Sequence, residues 1–154
     1  MLNNYFITVT SDQIDLNEKI VSAHKIISRR IKRKKFPIYD ATTYRDKIKV
    51  GDICYMYLAG QKENKHHILG SFKVKEIILN ERIVEFDDVL SSIPYKYLVM
   101  GDAKVFAKPL YVKAIIEELE FIKNKIKWGV FFQGGIRKIG ENDMKLLERK
   151  VAIS

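Results

Sequence analysis

Seven consecutive apolar residues, 53–59 (ICYMYLA), constrain the fold of this chain more than any other segment. They read as its clearest strand. Successive side chains alternate across an extended backbone, so Ile53, Tyr55 and Tyr57 share one face while Cys54, Met56 and Leu58 share the other. Residues 60–65 (GQKENK) read as a hairpin tip. Residues 67–78 return as a strand, with Ile68, Gly70, Phe72 and Val74 opposite Ser71, Lys73 and Lys75. Residues 4–10 open the chain as a strand, 81–86 and 97–108 supply more, and 128–132 and 136–139 are two short ones. Between them Leu16, Ile20, Ala23, Ile27 and Ile31 recur every three to four residues. That spacing predicts an amphipathic helix over 16–32, opened by a capping box of Asp15 and Glu18 and ended by Pro37. A second helix is expected from Pro109 to about Ile122, striped by Val112, Ile115, Ile116, Leu119 and Ile122, and a third over 141–150. The expectation is an α+β fold: a small curved sheet or barrel of about six strands, two to three helices packed outside, one domain over 1–154.

At 154 residues, 47% hydrophobic and 31% charged, the chain can bury a core without disulfides or metal. Its one cysteine, Cys54, excludes an internal disulfide framework and fits a reducing compartment. No apolar run approaches the roughly 18 residues of a membrane span. The opening MLNNYFITVT lacks the basic residues of a signal peptide. A soluble, cytoplasmic protein with no membrane partner is therefore expected. The net charge of +9 favours a polyanionic partner, and it is clustered: six of the seven residues 29–35 (RRIKRKK) are cationic. Two or three cations would complement a helix carboxyl end; six exceed that need. High lysine content also accompanies life at high temperature.

Little in the chain calls for catalysis. His66 and His67 are neighbours in an expected hairpin, where adjacent side chains diverge, so surface histidines are the better reading. With one cysteine there is no zinc spacing. Glu117, Glu118 and Glu120 fall on a polar helix face, and no nucleophile elbow, metalloprotease or phosphate-loop motif occurs. Neither a cofactor nor a metal is expected. Binding has more support. Residues 121–135 (FIKNKIKWGVFFQGG) join the only tryptophan, two adjacent phenylalanines and a glycine pair to a basic stretch. Rings stack on bases, glycine admits a close backbone, and cations hold phosphates. The two phenylalanines fit a core strand ending in a glycine turn equally well, and each tyrosine fits ordinary packing.

The order of elements resembles the EVE domain of the PUA-like superfamily, a relative of the YTH readers of methylated adenine. The resemblance is carried by NYFITVT, by 49–58 (KVGDICYMYL), by 70–77 (GSFKVKEI) and above all by 109–148, PLYVKAIIEELEFIKNKIKWGVFFQGGIRKIGENDMKLLE. It spans most of the chain and is loose over 79–97. It implies a pocket at one side of a small barrel that holds a modified base, walled by the loop after the first helix and by the segment entering the last strands. On this sequence those walls are Phe36, Pro37, Ile38, Tyr39 and Thr42, and Trp128, Phe132, Gln133 and Gly134. Val130 and Phe131 are expected in the core. The chain departs from the family's Trp-Gly-Val-Arg-Asn-like residues after the first helix, carrying Phe36-Pro37-Ile38-Tyr39 instead.

The function so implied is a non-catalytic reader of modified, methylated DNA or RNA that flips a base into an aromatic pocket. Arg29, Arg30, Lys32, Arg33, Lys34 and Lys35 would hold the backbone. The resemblance extends to the target-recognition modules of McrBC-type restriction systems, which implies a AAA+ motor and a nuclease as partners. Three alternatives stand beside it: an RNA-binding or RNA-modification-related protein, an ASCH-like nucleoside amidohydrolase, and a protein-interaction domain.

Overall fold

The computed structural model describes residues 3–15, 17–39, 46–79, 94–133 and 135–153. In chain order the elements are β1 (Tyr5–Thr10), β2 (Gln13–Ile14), β3 (Ile20–Val21), α1 (Ala23–Arg33), β4 (Lys35–Ile38), β5 (Ile53–Leu58), β6 (His67–Leu79), β7 (Lys96–Tyr111), β8 (Ile136–Ile139) and α2 (Glu141–Ile153). Two 3₁₀ helices, Val112–Glu118 and Trp128–Phe132, lie between β7 and β8. Six strands form one curled sheet in the order β4-β7-β6-β5-β1-β8, while β2 and β3 make a separate hairpin. β1 runs parallel to β5, and every other neighbouring pair is antiparallel. The architecture is α+β, as the sequence predicts.

β5 divides the interior as its alternation requires. Cys54, Met56 and Leu58 join Phe6, Ile27, Phe36, Phe72 and Leu98 on the face covered by α1. Tyr55 and Tyr57 join Ile7, Ile115, Phe132 and Leu147 on the face covered by α2 and the 3₁₀ helices. The register of β6 against β7 slips at three places. Such bulges sharpen twist and curl, and the first of them moves Ile68 to the face opposite Phe72 and Val74. At Gly70 the β7 backbone comes so close that an added Cβ would lie 1.9 Å from the Lys104 carbonyl oxygen.

Several expected boundaries are corrected. The helix predicted from residue 16 starts at Ala23, where the Ser22 hydroxyl accepts from the Lys25 amide at 3.2 Å. Asp15 caps a turn instead, accepting from the amides of Asn17 at 2.8 Å and Lys19 at 3.0 Å. The same carboxylate chemistry serves either purpose, and Glu18 at φ 61° cannot continue a helix. Lys34 ends α1 in the left-handed conformation, its amide donating to the carbonyls of Arg30 and Ile31. The chain then enters β4 directly. Pro37 sits in that edge strand, where a missing amide is tolerated. Pro109 lies within β7, so the second predicted helix shrinks to the 3₁₀ turn at Val112, although its apolar stripe is buried as expected. Residues 128–132 form a 3₁₀ helix, not a strand. The predicted strand 81–86 lies outside the described residues.

Three aspartates tie distant segments together by accepting from two backbone amides each. Asp12 takes Ala23 and Gln61, at 2.8 and 2.9 Å. Asp52 takes Asn4 and Lys49, at 3.1 and 2.8 Å. Asp143 takes Glu120 and Phe121, at 2.7 and 2.9 Å. The last of these fixes the segment leading to Trp128 against the first turn of α2.

Candidate nucleic-acid interface

A cavity of about 370 Å³ opens where the carboxyl ends of β1 and β5 meet the start of β6. Parallel pairing of β1 with β5 brings Val9 and Ala59 together there, and the chain continues into Ser11 on the same rim. Aromatic rings form the base of the cavity. Phe132 stacks on Tyr57 with centroids 4.1 Å apart and planes 18° from parallel. Phe121 and Trp128 meet Phe132 edge-on, at 5.5 and 6.0 Å. Such pairs add about 0.5–1.5 kcal/mol each beyond burial.

His66 completes the wall. It closes the hairpin tip between β5 and β6 in the left-handed conformation, φ 64°, with its amide donating to the Leu58 carbonyl at 2.9 Å. Its Nδ1 lies 2.9 Å from the Tyr57 hydroxyl, and its ring meets Trp128 at 4.9 Å and 76°. Burial, then the neighbouring Tyr111, holds the Tyr57 phenol protonated far above its ordinary range. Burial, then Lys65, Lys113 and His67, pushes the His66 pKa down. A neutral imidazole accepting the Tyr57 proton at Nδ1 must carry its own on Nε2. In that tautomer His66 offers a donor in a wall otherwise built from rings, aliphatic groups, the polar Ser11 and Gln133, and the backbone of Gly129 and Gly135.

The expected site residues divide into separate groups. Phe132 and Gln133 line the cavity, whereas Trp128 does not line it and packs behind the wall against His66 and Phe132. Phe132 is also a core residue at 3% exposure, whereas Val130, expected in the core, is 52% exposed. Phe36 and Ile38, at 3% and 0% exposure, pack in the α1-side core and are not among the residues lining the cavity. Pro37 is buried beside them in β4. The physical reason is pairing: β4 is a sheet strand against β7, not a loop. Tyr39 follows it, half-buried, near the Leu79 end of β6. That is twelve residues from His67, on the order of 40 Å of strand path from the cavity. Thr42 and Gly134 lie outside the described residues.

The cationic run also divides. Arg30 is 3% exposed, donates to the Thr10 hydroxyl at 3.3 Å and lies over the Phe36 ring at 5.0 Å. It supports the core rather than a phosphate. Arg29 and Lys35 are half-buried; Lys32, Arg33 and Lys34 are exposed. Arg29 to Arg33 lie in the carboxyl half of α1, Lys34 caps it and Lys35 opens β4, while the amino end of α1 is the one tied through Asp12 to the cavity rim. Tyr57 and His66 were missed at the cavity because each reads correctly as something else, a core tyrosine and a hairpin histidine. The signal that finds them is the hairpin itself, whose ends must face each other.

No model of a known protein family matches the chain. UPF0310 protein PH1033 of Pyrococcus horikoshii is 27% identical over 118 residues, covering 67% of this chain and 75% of that protein. Among solved structures, human THYN1 in complex with 5-methylcytosine-containing DNA superposes with a TM-score of 0.59 at 13% identity, covering 98% of this chain and 97% of the chain in that structure. Protein Atu2648 from Agrobacterium tumefaciens superposes with a TM-score of 0.54 at 12% identity, covering 96% and 92%. At these identities the likeness to the two solved structures is one of fold alone. Among the described residues, no helix is long and apolar enough to cross a membrane.

Proposed function

We propose that this chain is a nucleic-acid-binding domain, a single unit over 1–154 of the EVE type, that holds a methylated base flipped into the cavity of Tyr57, His66 and Phe132. The observation that carries the reading is the Tyr57–Phe132 stack beneath a neutral histidine in a cavity of about 370 Å³. The likeness of fold to THYN1, a protein seen with 5-methylcytosine-containing DNA, supports the ligand class. Stacking contributes about 1–3 kcal/mol per base, against a few kcal/mol for extrusion. A buried methyl adds roughly 0.8 kcal/mol, up to about 3 with tight shape exclusion. Charge therefore supplies most of the affinity and the cavity most of the selection. Beside the cavity the phosphate-holding cations are Lys65 and Lys113, close enough to depress His66, and Lys127, exposed next to Trp128. Residues 29–35 do not serve this site.

The domain binds without turning its ligand over: a base held by rings, a hydroxyl and one imidazole meets no activated nucleophile there. Incubation with acetylated cytidine tests this directly, and any release of acetate would make the chain an amidohydrolase. In a modification-dependent restriction system it would serve as the target-recognition module of a AAA+ motor and nuclease. A binding panel of methylated, hydroxymethylated and plain DNA and RNA oligonucleotides, at two salt concentrations, tests the central reading and decides between the two nucleic acids.

A further inference from the structure

The basic end of α1 and the aromatic cavity lie far apart. α1 has 11 residues, so its ends are about 16 Å apart at 1.5 Å per residue. Its amino end is bonded through Asp12 to the tip of the β5–β6 hairpin, and its carboxyl end meets β7, where the Met100 amide donates to the Lys34 carbonyl at 2.8 Å. A second and larger cavity, about 650 Å³, opens at that carboxyl end. It is lined by Lys34 from the end of α1, by Lys73 and Lys75 from β6, and by Gly51, Gly101 and Asp102 from the turn before β5 and the bulge of β7. Along β6, Lys73 is seven residues from His66, roughly 23 Å of strand.

We infer that this groove is a second nucleic-acid contact, one that takes the phosphodiester backbone of the strand or duplex whose base occupies the aromatic cavity. The inference rests on the nucleic-acid reading of the chain, but not on base flipping. Three lysines from two elements converge on the groove, against the single carboxylate of Asp102. Lys73 and Lys75 share a strand face because they are two residues apart, while Val74 between them is buried in the core. Gly101 makes room for this arrangement: a Cβ there would come within 3.1 Å of the Lys75 Cβ. Lys34, Gly51 and Asp102 all have left-handed backbone, at φ 58°, 96° and 47°. The chain turns sharply at three points around the groove and leaves it open. An open trough with spaced ammonium groups suits a continuous string of phosphates better than a small enclosed anion. A separation of about 20 Å corresponds to roughly six base pairs at 3.4 Å each, so one bound duplex can reach both places.

The test uses the full chain with unmodified and singly methylated duplexes of two lengths, about 8 and about 24 base pairs, the methyl placed at the centre, so that the shorter extends only about four base pairs, roughly 14 Å, to either side of the cavity and falls short of the groove. Wild type is expected to bind the long duplex more tightly and with a steeper salt dependence. Lys73→Gln together with Lys75→Gln is expected to abolish that length advantage and to lower the salt slope on the long duplex by about 2, one unit per lysine. The short duplex and the ratio of methylated to plain affinity stay as in wild type. Gly101→Ala, which displaces Lys75 without altering charge, should weaken the long duplex in the same selective way. Equal losses on both lengths, or an unchanged slope, would overturn the inference. So would competition by inorganic phosphate at millimolar concentration with no length effect, which would make the groove a small-anion site. Failure of the base-flipping reading is seen separately, as a methylated-to-plain ratio of one in wild type.

Discussion

The residues that define the cavity are coupled in charge as well as in contact. His66 is held neutral by burial and by Lys65, Lys113 and His67, so in the fold its pKa lies below its unfolded value of about 6.5. As pH falls through that value the unfolded chain takes up the proton first. Stability contributed by neutral His66 is therefore fully present above about 6.5 and is lost below it. Binding should follow the same direction, because protonated Nδ1 can no longer accept from Tyr57. An affinity that rises as pH drops from 7 to 5.5, measured at a salt concentration high enough to screen phosphate attraction, would contradict this role. Tyr57→Phe removes the same bond and should cost about 1 kcal/mol in denaturant unfolding, while flattening the pH dependence of binding. Phe132→Ala is a different kind of change. It empties the ring stack and should cost about 3–5 kcal/mol, enough to confound any binding assay.

Elements were legible where one local rule decides them. The alternation in β5 sorted its side chains onto the two faces correctly, and β8 and α2 followed from their patterns. The helix expected over 16–32 was overextended because Ile20 and Ala23 happen to fall on helical spacing. The β2–β3 hairpin wins there because Asp15 satisfies a turn and Ile20 pairs across to Ile14. β4 was unreadable as a strand, since nothing local announces that residues 35–38 will pair with 96–99. With it went the expected wall of Phe36 to Tyr39, because sheet pairing holds Phe36, Pro37 and Ile38 in buried positions and leaves Tyr39 half-buried beyond the strand. Trp128 and Phe132, behind and in the wall of the candidate cavity, stand out in the sequence by ring density alone. His66 and Tyr57 needed the hairpin register. The segment bearing Trp128 depends on a remote tie, the two amides accepted by Asp143. Asp143→Ala leaves both without partners and should lower stability by about 2–4 kcal/mol in denaturant melts, with weaker ligand binding at temperatures where the fold persists. An unchanged melting midpoint would show that the tie contributes nothing.

On the scale of the whole molecule, charge and shape are arranged at two ends of one helix. The net charge of +9 concentrates polyanions at the surface without selecting among them. In the proposed reading selection falls to a cavity whose floor is part of the hydrophobic core, so an informative variant must alter the cavity and spare the core. Gly129 offers one. It lines the cavity, and an added Cβ would meet no atom within 4 Å. Gly129→Val should therefore fold like wild type while narrowing the space for a base. The measurement that bears most directly on the account is the ratio of affinities for methylated and plain oligonucleotides, wild type against Gly129→Val, at two salt concentrations. The account predicts a wild-type ratio of about 4 to 160, from roughly 0.8 to 3 kcal/mol of methyl recognition, independent of salt and collapsing toward one in the variant, while affinity for plain substrate changes little. A wild-type ratio of one, or a ratio that Gly129→Val leaves intact in a folded protein, would contradict it.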